Sequence, residues 1–375
     1  MKKKILIISS SIIFIENFLQ DLIIDISQNY EIFVITNMNS RKLDKVKNIK
    51  YLDFNLQRKI NLTLDLMNLI KIIYCFKKIR PDLLITCTPK SIIIGSLLYL
   101  IYKVKRIHFY TGIFWSQYKF IVKLPFILLD KLNIITSNKI LFDSYSQIIF
   151  FKKYYLFSYK FKLISNGSIK GVKTGLFKPN LKSKNLFKTK YNLPLNSLAI
   201  IYFGRMNFEK GILELLKVFN ELSKKYSNIY LFLYGHDEMN IKNLINKLNL
   251  NKNKIYINNY IKDVHEIIPC FDIFVLPSKR EGFGNSVIEA SSCELPCLTS
   301  NIFGLENSSI ENVNSLKFKI GNFSDFKYKF EKLLNDKQLR HTLGKNGRKF
   351  VKKNFESDTV LKFIKNEILL VLKDV

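Results

Sequence analysis

What most limits the folds open to this chain is a rhythm that runs through it twice. Short apolar runs of four to six residues alternate with longer stretches of helical period. The first series places strands at Lys4–Ser9, Glu31–Thr36, Asp82–Cys87, Arg106–Tyr110 and Lys139–Phe142, with Lys160–Ile164 as a sixth. Segments such as Leu62–Ile79 and Ile92–Tyr102 carry the helical period between them. Near-continuous Ile and Leu is the pattern of a strand covered on both faces, as in a parallel sheet. Strand–helix alternation of this kind predicts a doubly wound α/β domain. From Ser165 to Asn196 the rhythm stops, with three Gly, two Pro and little periodicity, which reads as an interdomain linker. It then restarts. Strands are expected at Leu198–Phe203, Ile229–Tyr234, Ile255–Asn258, Ile273–Leu276 and Cys297–Ser300, and helices at Gly211–Lys225, Met239–Leu248, Asn285–Ser292, Asp325–Asn335 and Asp358–Leu372. At about 100–200 residues per domain, 375 residues hold two such domains. Two Rossmann-like halves place a crevice at the carboxyl ends of both sheets, where open α/β sheets bind ligands.

Several classes drop out. With 47% hydrophobic and 14% aromatic residues, the chain can fill two cores, so disorder is excluded as its main state. The start, a basic Met1–Lys4 followed by eleven uncharged residues from Ile5 to Ile15, imitates a signal peptide. Glu16 follows, no small-x-small cleavage site appears, and a buried first strand explains the run better. The longest uncharged run elsewhere is Tyr191–Gly204, fourteen residues broken by Pro194, where a membrane span needs about 20. The five cysteines form no disulfide framework, which points to a reducing, cytosolic compartment. Cys293 and Cys297 lack a second Cys/His pair, and the four histidines are scattered, so no metal site is expected.

The charge is lopsided: 60 Lys/Arg against 30 acids, a formal +30. Residues 1–180 carry +19 and the remainder +11, and Ser144–Asn180 contains no acid. Such a field asks for an anionic partner. Part of it reflects composition, since the chain is crowded with Lys, Ile, Asn, Phe and Tyr. Within the acid-free stretch, Phe150–Lys162 interleaves aromatics with lysines. That mixture suits an anionic membrane surface, a core helix with a solvated basic face, or single-stranded nucleic acid. No RNA- or DNA-binding motif accompanies it, and nucleic acid is not expected as a partner.

Two segments carry chemistry. Pro277–Ala290 follows an apolar strand and runs through Glu281-Gly282-Phe283-Gly284-Asn285 into a helix that holds Glu289. A strand, a glycine turn and a helix N-terminus make an anion site, because free N–H groups and the positive dipole end point at it. Glu281 in the turn can accept bonds from sugar hydroxyls, and Glu289 can grip a ribose diol. Alone, each glutamate reads as a helix-end charge or a solvated side chain; the spacing of the two is the specific signal. The second segment, Ile201–Gly211, is again strand, glycine turn and helix start, with Gly204, Arg205 and Lys210 on the connection. Two cations there can neutralise a diphosphate, one as a fork and one as a point charge. A weaker third turn, Tyr234-Gly235-His236-Asp237, is placed to line a base or ribose pocket.

These segments resemble retaining glycosyltransferases of family 4. Glu281…Glu289 matches the family's E-x7-E motif, and Phe203-Gly204-Arg205 with Glu209-Lys210-Gly211 matches its G-R-x-x-x-E-K-G loop. Ser165-Asn166-Gly167, Phe271–Ser278 and Leu343–Arg348 also resemble family segments. Tyr110–Trp115, Asp143–Gln147 and Asn166–Val172 resemble a bacterial subgroup that builds capsules, O-antigens and lipid-linked oligosaccharides, often moving N-acetylhexosamines. The resemblance implies a GT-B fold, two Rossmann-like domains facing each other across a cleft. It divides the chain into an acceptor-binding domain at residues 1–178, a nucleotide-sugar-binding domain at 179–355 and a C-terminal helix at 356–375 crossing back to the first domain.

The resemblance further implies that Glu281 holds donor-sugar hydroxyls, Glu289 the ribose, and Arg205 and Lys210 the diphosphate, with backbone amides of Gly282, Phe283 and Gly284 and the helix start at Asn285 assisting. Glu281, Arg205 and Lys210 are the expected catalytic residues. The implied substrates are a nucleotide sugar, UDP-linked, and a polyprenyl-diphosphate-linked glycan, at the inner face of the cell membrane, with neither cofactor nor metal. Many relatives place a His after the strand ending near Tyr110. Here Thr111-Gly112 stands there, with His108 three residues before Thr111, so His108, Thr111, Gly112 and Trp115 are candidates for the acceptor side without an assigned catalytic His. The competing readings are transfer to a soluble or protein acceptor, and a basic membrane- or nucleic-acid-binding protein without catalysis.

Overall fold

The computed structural model describes residues 2–38, 47–57, 61–113, 115–116, 118–155, 158–261 and 263–373. The chain forms two compact units, one of residues 1–170 with 358–375 and one of residues 171–357. Each is built on a parallel sheet. In the first, β1 (Lys4–Ile8), β2 (Glu31–Thr36), β3 (Ile49–Asp53), β4 (Leu83–Thr86), β5 (Lys105–Tyr110), β6 (Lys139–Phe142) and β7 (Phe161–Leu163) lie in the order β3-β2-β1-β4-β5-β6-β7. In the second, β8 (Leu198–Phe203), β9 (Ile229–Tyr234), β10 (Ile255–Asn258), β11 (Ile273–Leu276), β12 (Cys297–Ser300) and β13 (Ser315–Phe318) lie in the order β10-β9-β8-β11-β12-β13. Both orders reverse direction once, between β1 and β4 and between β8 and β11.

Strand alternation sorts the first core onto two faces. Ile5 and Ile7 of β1 pack with Leu22, Ile23, Val360, Ile364 and Ile368. Leu6 and Ile8 pack on the other face with Ile72, Phe76 and Leu98. Ile5–Ile8, at the head of the uncharged run that follows the basic start, is therefore part of a buried strand. The first face is closed by the last helix, Ser357–Lys373, whose buried Glu367 takes Lys162 at 2.7 Å and Lys139 at 3.4 Å. The chain enters the second unit at Gly171 and leaves at Ser357, and the two crossings run side by side: Val172 N donates to Phe355 O (2.7 Å) and Ser357 N to Val172 O (3.0 Å).

Three expectations change. The segment Ser165–Asn196 is not a bare linker. Asn180 caps a helix over Leu181–Lys190, whose Phe187 packs edge-on against Phe232 and Phe271, and whose Lys184 meets Asp272 at 2.6 Å. Strands β3 and β13 were not expected; both are sheet edges and lack the long apolar run of a strand covered on both sides.

The basic aromatic run Phe150–Lys162 is mostly structural, leaving aside Leu156 and Phe157, which lie outside the described residues. Phe151 and Tyr155 are buried, and Phe150 and Tyr154 lean on Trp115. Lys160 caps the helix Phe120–Ile135 by donating to the carbonyls of Ile134, Ile135 and Ser137 at 2.7–3.2 Å. Tyr159 stands out, 77% exposed.

A buried polar network fixes the β4–β6 side of the first unit. Arg106 is fully buried and surrounded by neutral acceptors: Thr86 Oγ1, Ser96 Oγ, Thr136 Oγ1, Ile92 O and Asn133 Oδ1, at 2.7–3.3 Å. Desolvation lowers its pKa to about 9. Next to it, Asp130 accepts from Tyr110 OH at 2.6 Å and Trp115 Nε1 at 2.9 Å. Burial pushes the Asp130 carboxyl up to about 7 against the pull of those two donors.

A carboxyl raised in the folded state stabilises least at high pH. Both states are protonated below the unfolded value, and only the unfolded state ionises as pH climbs towards 7. Denaturant titrations of wild type and Asp130→Asn should therefore diverge between pH 4 and 7. Wild type should lose on the order of a few kcal/mol relative to the variant over that window, and a parallel pair of curves would refute the burial of a titrating carboxyl here.

Candidate active site

The switch of strand order in the second unit puts the carboxyl ends of β8 and β11 next to each other. A connection leaving each one turns to opposite sides, and the gap between them is where a ligand fits. The two connections here are Gly204–Gly211 and Pro277–Gly284. They are bound to each other before any ligand arrives. Lys279 N donates to Glu209 O at 2.7 Å, Arg280 Nη2 meets both oxygens of Glu209 at 2.8 and 2.9 Å, and Lys279 Nζ lies 3.3 Å over the Phe208 ring. Gly211 makes this possible: it sits at φ +70°, and a Cβ there would stand 2.0 Å from Pro277 O. Behind the second loop, a Cβ on Gly304 would stand 1.9 Å from Glu281 O, so the two backbones touch.

The sequence-selected side chains of the two loops converge. Lys210 Nζ contacts Glu281 Oε1 at 2.5 Å, and Ser278 Oγ donates to the same oxygen at 2.7 Å. Lys210 N in turn donates to Asn207 Oδ1 (3.1 Å), Asn207 Nδ2 donates to Glu238 Oε2 (2.8 Å), and Arg205 Nη1 meets Glu238 Oε1 at 3.0 Å. The result is one chain of polar contacts from Arg205 to Ser278. Burial works against the Glu238 carboxylate, but bonds from Asn207 and Arg205 outweigh it and hold its pKa below the ordinary value. Beneath the chain, Tyr202 OH donates to Arg205 O at 2.7 Å; burial and then the Glu281 charge raise its pKa well above the usual phenol range.

Gly284 takes φ +85° and opens the helix Asn285–Ser292. Phe283 points away from the loop, buried against Phe355 with ring centroids 5.3 Å apart, and its carbonyl is held by Ser308 Oγ at 2.5 Å. What Phe283 offers a ligand is thus backbone. Glu289 lies one helical turn further in and is buried, 6% exposed, rather than on a solvated face.

Glu238, Asn207 and Ser278 were missed by sequence reasoning. Glu238 is one residue past the weak third turn, so reading that turn as an organiser of the neighbouring loop would have found it. Asn207 and Ser278 give no sequence signal beyond a polar residue in a turn.

The first-unit candidates do not converge in the same way. His108 is buried, with its ring 4.6 Å edge-on from Tyr110. Its Nδ1 is 2.7 Å from Thr86 Oγ1. Because Arg106 donates to that hydroxyl oxygen, the hydroxyl proton goes to Nδ1, which leaves the imidazole proton on Nε2. Burial, then the Arg106 charge, lowers the His108 pKa well below its ordinary value, so the ring is neutral. Trp115 is buried on Asp130. Thr111 and Gly112 are half-buried at the end of β5; Phe114, between these candidates, lies outside the described residues. Among the described residues, no group of three or more His, Cys, Asp or Glu side chains is arranged to hold a metal ion.

Comparison with known proteins agrees with this layout. Residues 183–350 match the family model for glycosyl transferases group 1, and residues 4–144 match that for glycosyl transferase 4-like domains. The chain is 29% identical over 329 residues to the capsular polysaccharide biosynthesis glycosyltransferase CapM of Staphylococcus aureus, covering 85% of this chain and 84% of CapM. It is 26% identical over 306 residues to the UDP-Gal:alpha-D-GlcNAc-diphosphoundecaprenol alpha-1,3-galactosyltransferase of Escherichia coli, covering 80% and 78%. Among solved structures, the sucrose-phosphate synthase of Thermosynechococcus elongatus superposes over 100% of both chains with a TM-score of 0.85 at 18% identity, a likeness of fold.

Gly211→Ala tests whether the two loops form one body. A strained left-handed residue alone costs about 1–3 kcal/mol, and the contact with Pro277 adds to it. The melting temperature should fall by roughly 5–10 °C for a unit of this size, as read by calorimetry. An unshifted transition would mean that the loops move independently.

Proposed function

Because the chain is a glycosyltransferase of the GT-B, family 4 type, with relatives in polysaccharide biosynthesis, we propose that it transfers a sugar from a UDP-linked donor to a polyprenyl-diphosphate-linked glycan, with retention. The sugar is a hexose or N-acetylhexosamine. One observation carries this reading: two cations and two carboxylates stand at the strand-order switch, beside the start of the helix Asn285–Ser292. The donor and acceptor classes are supported by the E. coli relative, whose name gives UDP-Gal and a diphosphoundecaprenol-linked sugar.

In this reading the bond from the anomeric carbon to the diphosphate oxygen breaks while the acceptor hydroxyl oxygen bonds to that carbon from the same face. The acceptor proton passes to the departing diphosphate oxygen. The demand on the protein is then to stabilise negative charge on the leaving group. Arg205 has five N–H donors, of which Glu238 engages Nη1, and Lys210 has three, one directed at Glu281. Donors therefore remain on both side chains for phosphate oxygens. Amides of Gly282 to Gly284 and the helix N-terminus at Asn285 add partial positive charge. Charge neutralisation by these groups needs no metal. Glu281, held by Lys210 and Ser278, is fixed to accept from sugar hydroxyls, and Glu289 from the ribose.

We place the acceptor on the first unit near Thr111 and Gly112, with His108 and Trp115 supporting that loop from within. The lipid-linked acceptor locates the enzyme at the cytoplasmic face of an anionic membrane.

Steady-state assays with a UDP-sugar panel and a lipid-linked acceptor test the reading. Arg205→Ala and Lys210→Ala should each lower kcat by about 10²-fold or more, and turnover within a few-fold of wild type would remove these residues from the leaving-group role. Saturating donor at 100 times its Kd adds about 2.7 kcal/mol to stability. That thermal shift should appear in wild type and vanish in Glu281→Ala and Glu289→Ala.

A further inference from the structure

Three helices of the first unit lie side by side on one face of its sheet, and their outer surfaces carry apolar side chains where water is expected. The helix Leu62–Ile79 puts Ile72 and Phe76 into the core. Its opposite stripe, Leu62, Leu66, Ile70 and Tyr74 at strict four-residue spacing, is 59–81% exposed. The helix Pro89–Tyr102 lies beside it: Lys90 pairs with Asp65 at 2.6 Å, and Phe76 stacks on Tyr102 at 4.7 Å. The helix Phe120–Ile135 follows, joined through Ser96–Thr136 and the Arg106 network, with Ile121 81% and Leu128 61% exposed. Among the described residues, no helix is long and apolar enough to cross a membrane. Single exposed apolar residues need no explanation, but a face of them across three neighbouring helices marks an interaction surface.

The charges on this face decide what covers it. The three helices contain six lysines and two aspartates. Both aspartates are engaged, Asp65 by Lys90 and Asp130 by Tyr110 and Trp115 in the interior. Exposed Lys71, Lys77, Lys78 and Lys131 therefore rim the apolar stripes without a competing surface carboxylate on these helices. Protein interfaces are depleted in Lys. Leu, Ile and Tyr bordered by Lys is the composition of a surface that lies in an anionic headgroup layer, aliphatic side chains entering the acyl boundary and lysines meeting phosphates. The basic aromatic run Phe150–Lys162 cannot do the same, because most of its described aromatics are packed inward.

We propose that the outer face of the helices Leu62–Ile79, Pro89–Tyr102 and Phe120–Ile135 docks the enzyme on an anionic lipid surface. The assignment deepens the lipid-linked acceptor reading and rests on it for its purpose, but its test is independent of turnover. Purified full-length protein is sedimented with vesicles of phosphatidylcholine alone and with added phosphatidylglycerol. Leu66→Glu/Ile70→Glu, Ile121→Glu/Leu128→Glu and Lys71→Glu/Lys131→Glu are compared with Lys152→Glu/Lys153→Glu on the acid-free run. Wild type should bind the anionic vesicles and not the neutral ones. Each of the first three variants should lower partitioning by about tenfold or more, and the fourth should do so far less. Failure of wild type to bind, equal binding by the face variants, or a larger loss from the fourth variant would overturn the proposal. So would a wild-type dimer that the face variants convert to monomer, which would assign the face to a second copy. The UDP-sugar thermal shift, measured on every variant, reports the donor site separately: its retention beside lost vesicle binding supports the docking face. Its absence from wild type counts against the reaction and leaves the vesicle result to be judged alone.

Discussion

The adjacency of β8 and β11 is the constraint on which the candidate site depends. Parallel strands require crossovers, and a crossover that starts on one side of β8 and another that starts on the opposite side of β11 leave two loops facing a common gap. Everything chemically useful in the second unit is attached to those loops. Gly211 allows the first loop to touch Pro277 of the second, backbone and side-chain contacts lock Glu209 to Lys279 and Arg280, and only then do Lys210 and Glu281 meet. The order of dependence runs from topology to backbone contact to ion pair. An ion pair between loops on flexible stems would contribute little, since exposed pairs are worth about 0–1 kcal/mol; this one is partly buried and set on a rigid frame.

Much of this was legible because its causes are local. Strands at the centre of each sheet are apolar on both faces, and a run such as Leu198–Phe203 announces itself without neighbours. The edge strands β3 and β13 do not: β3 is mostly half-buried or exposed, β13 is four residues long with a Ser and a Lys among them, and their sequences, IKYLD and SLKF, read as turn or coil. The helix Leu181–Lys190 hid behind four lysines; its two informative signals are Asn180 as a cap and Phe187 as an anchor. Glycines and charged residues in the two loops marked the site from sequence alone. Two contacts that organise it, Glu238 on Arg205 and Lys210 on Glu281, join loops remote in sequence and became visible only with the sheet order.

Surface was the least legible property. The interleaved lysines and aromatics of Phe150–Lys162 fitted an interface and a core helix with a basic face equally well; burial of Phe151 and Tyr155 and the capping role of Lys160 make the run mostly a structural support. The segment Leu62–Ile79 showed only a helical period, because apolar residues occur on both its stripes and periodicity alone does not say which stripe meets the sheet. Packing of Ile72, Phe76 and Ile79 with Leu6 and Ile8 of β1 and Phe33 and Ile35 of β2 settled it. Buried Arg106 and Asp130 follow the same logic. Nothing in a lone Arg or Asp signals that its partners are hydroxyls, an amide, a phenol and an indole.

The paired crossings at Val172 and Phe355 carry a consequence for how the molecule is made. The unit whose strands are translated first is the one that lacks a closing element until the end, since Val360, Ile364 and Ile368 supply part of the face opposite Ile5 and Ile7. The second unit is continuous from residue 171 to 357 and has all its parts once that stretch has left the ribosome. The later-born domain can therefore finish first, while the earlier one waits with an apolar sheet face uncovered. Folding order can thus run against chain order, with the nascent first domain exposing the apolar surface that needs protection from aggregation.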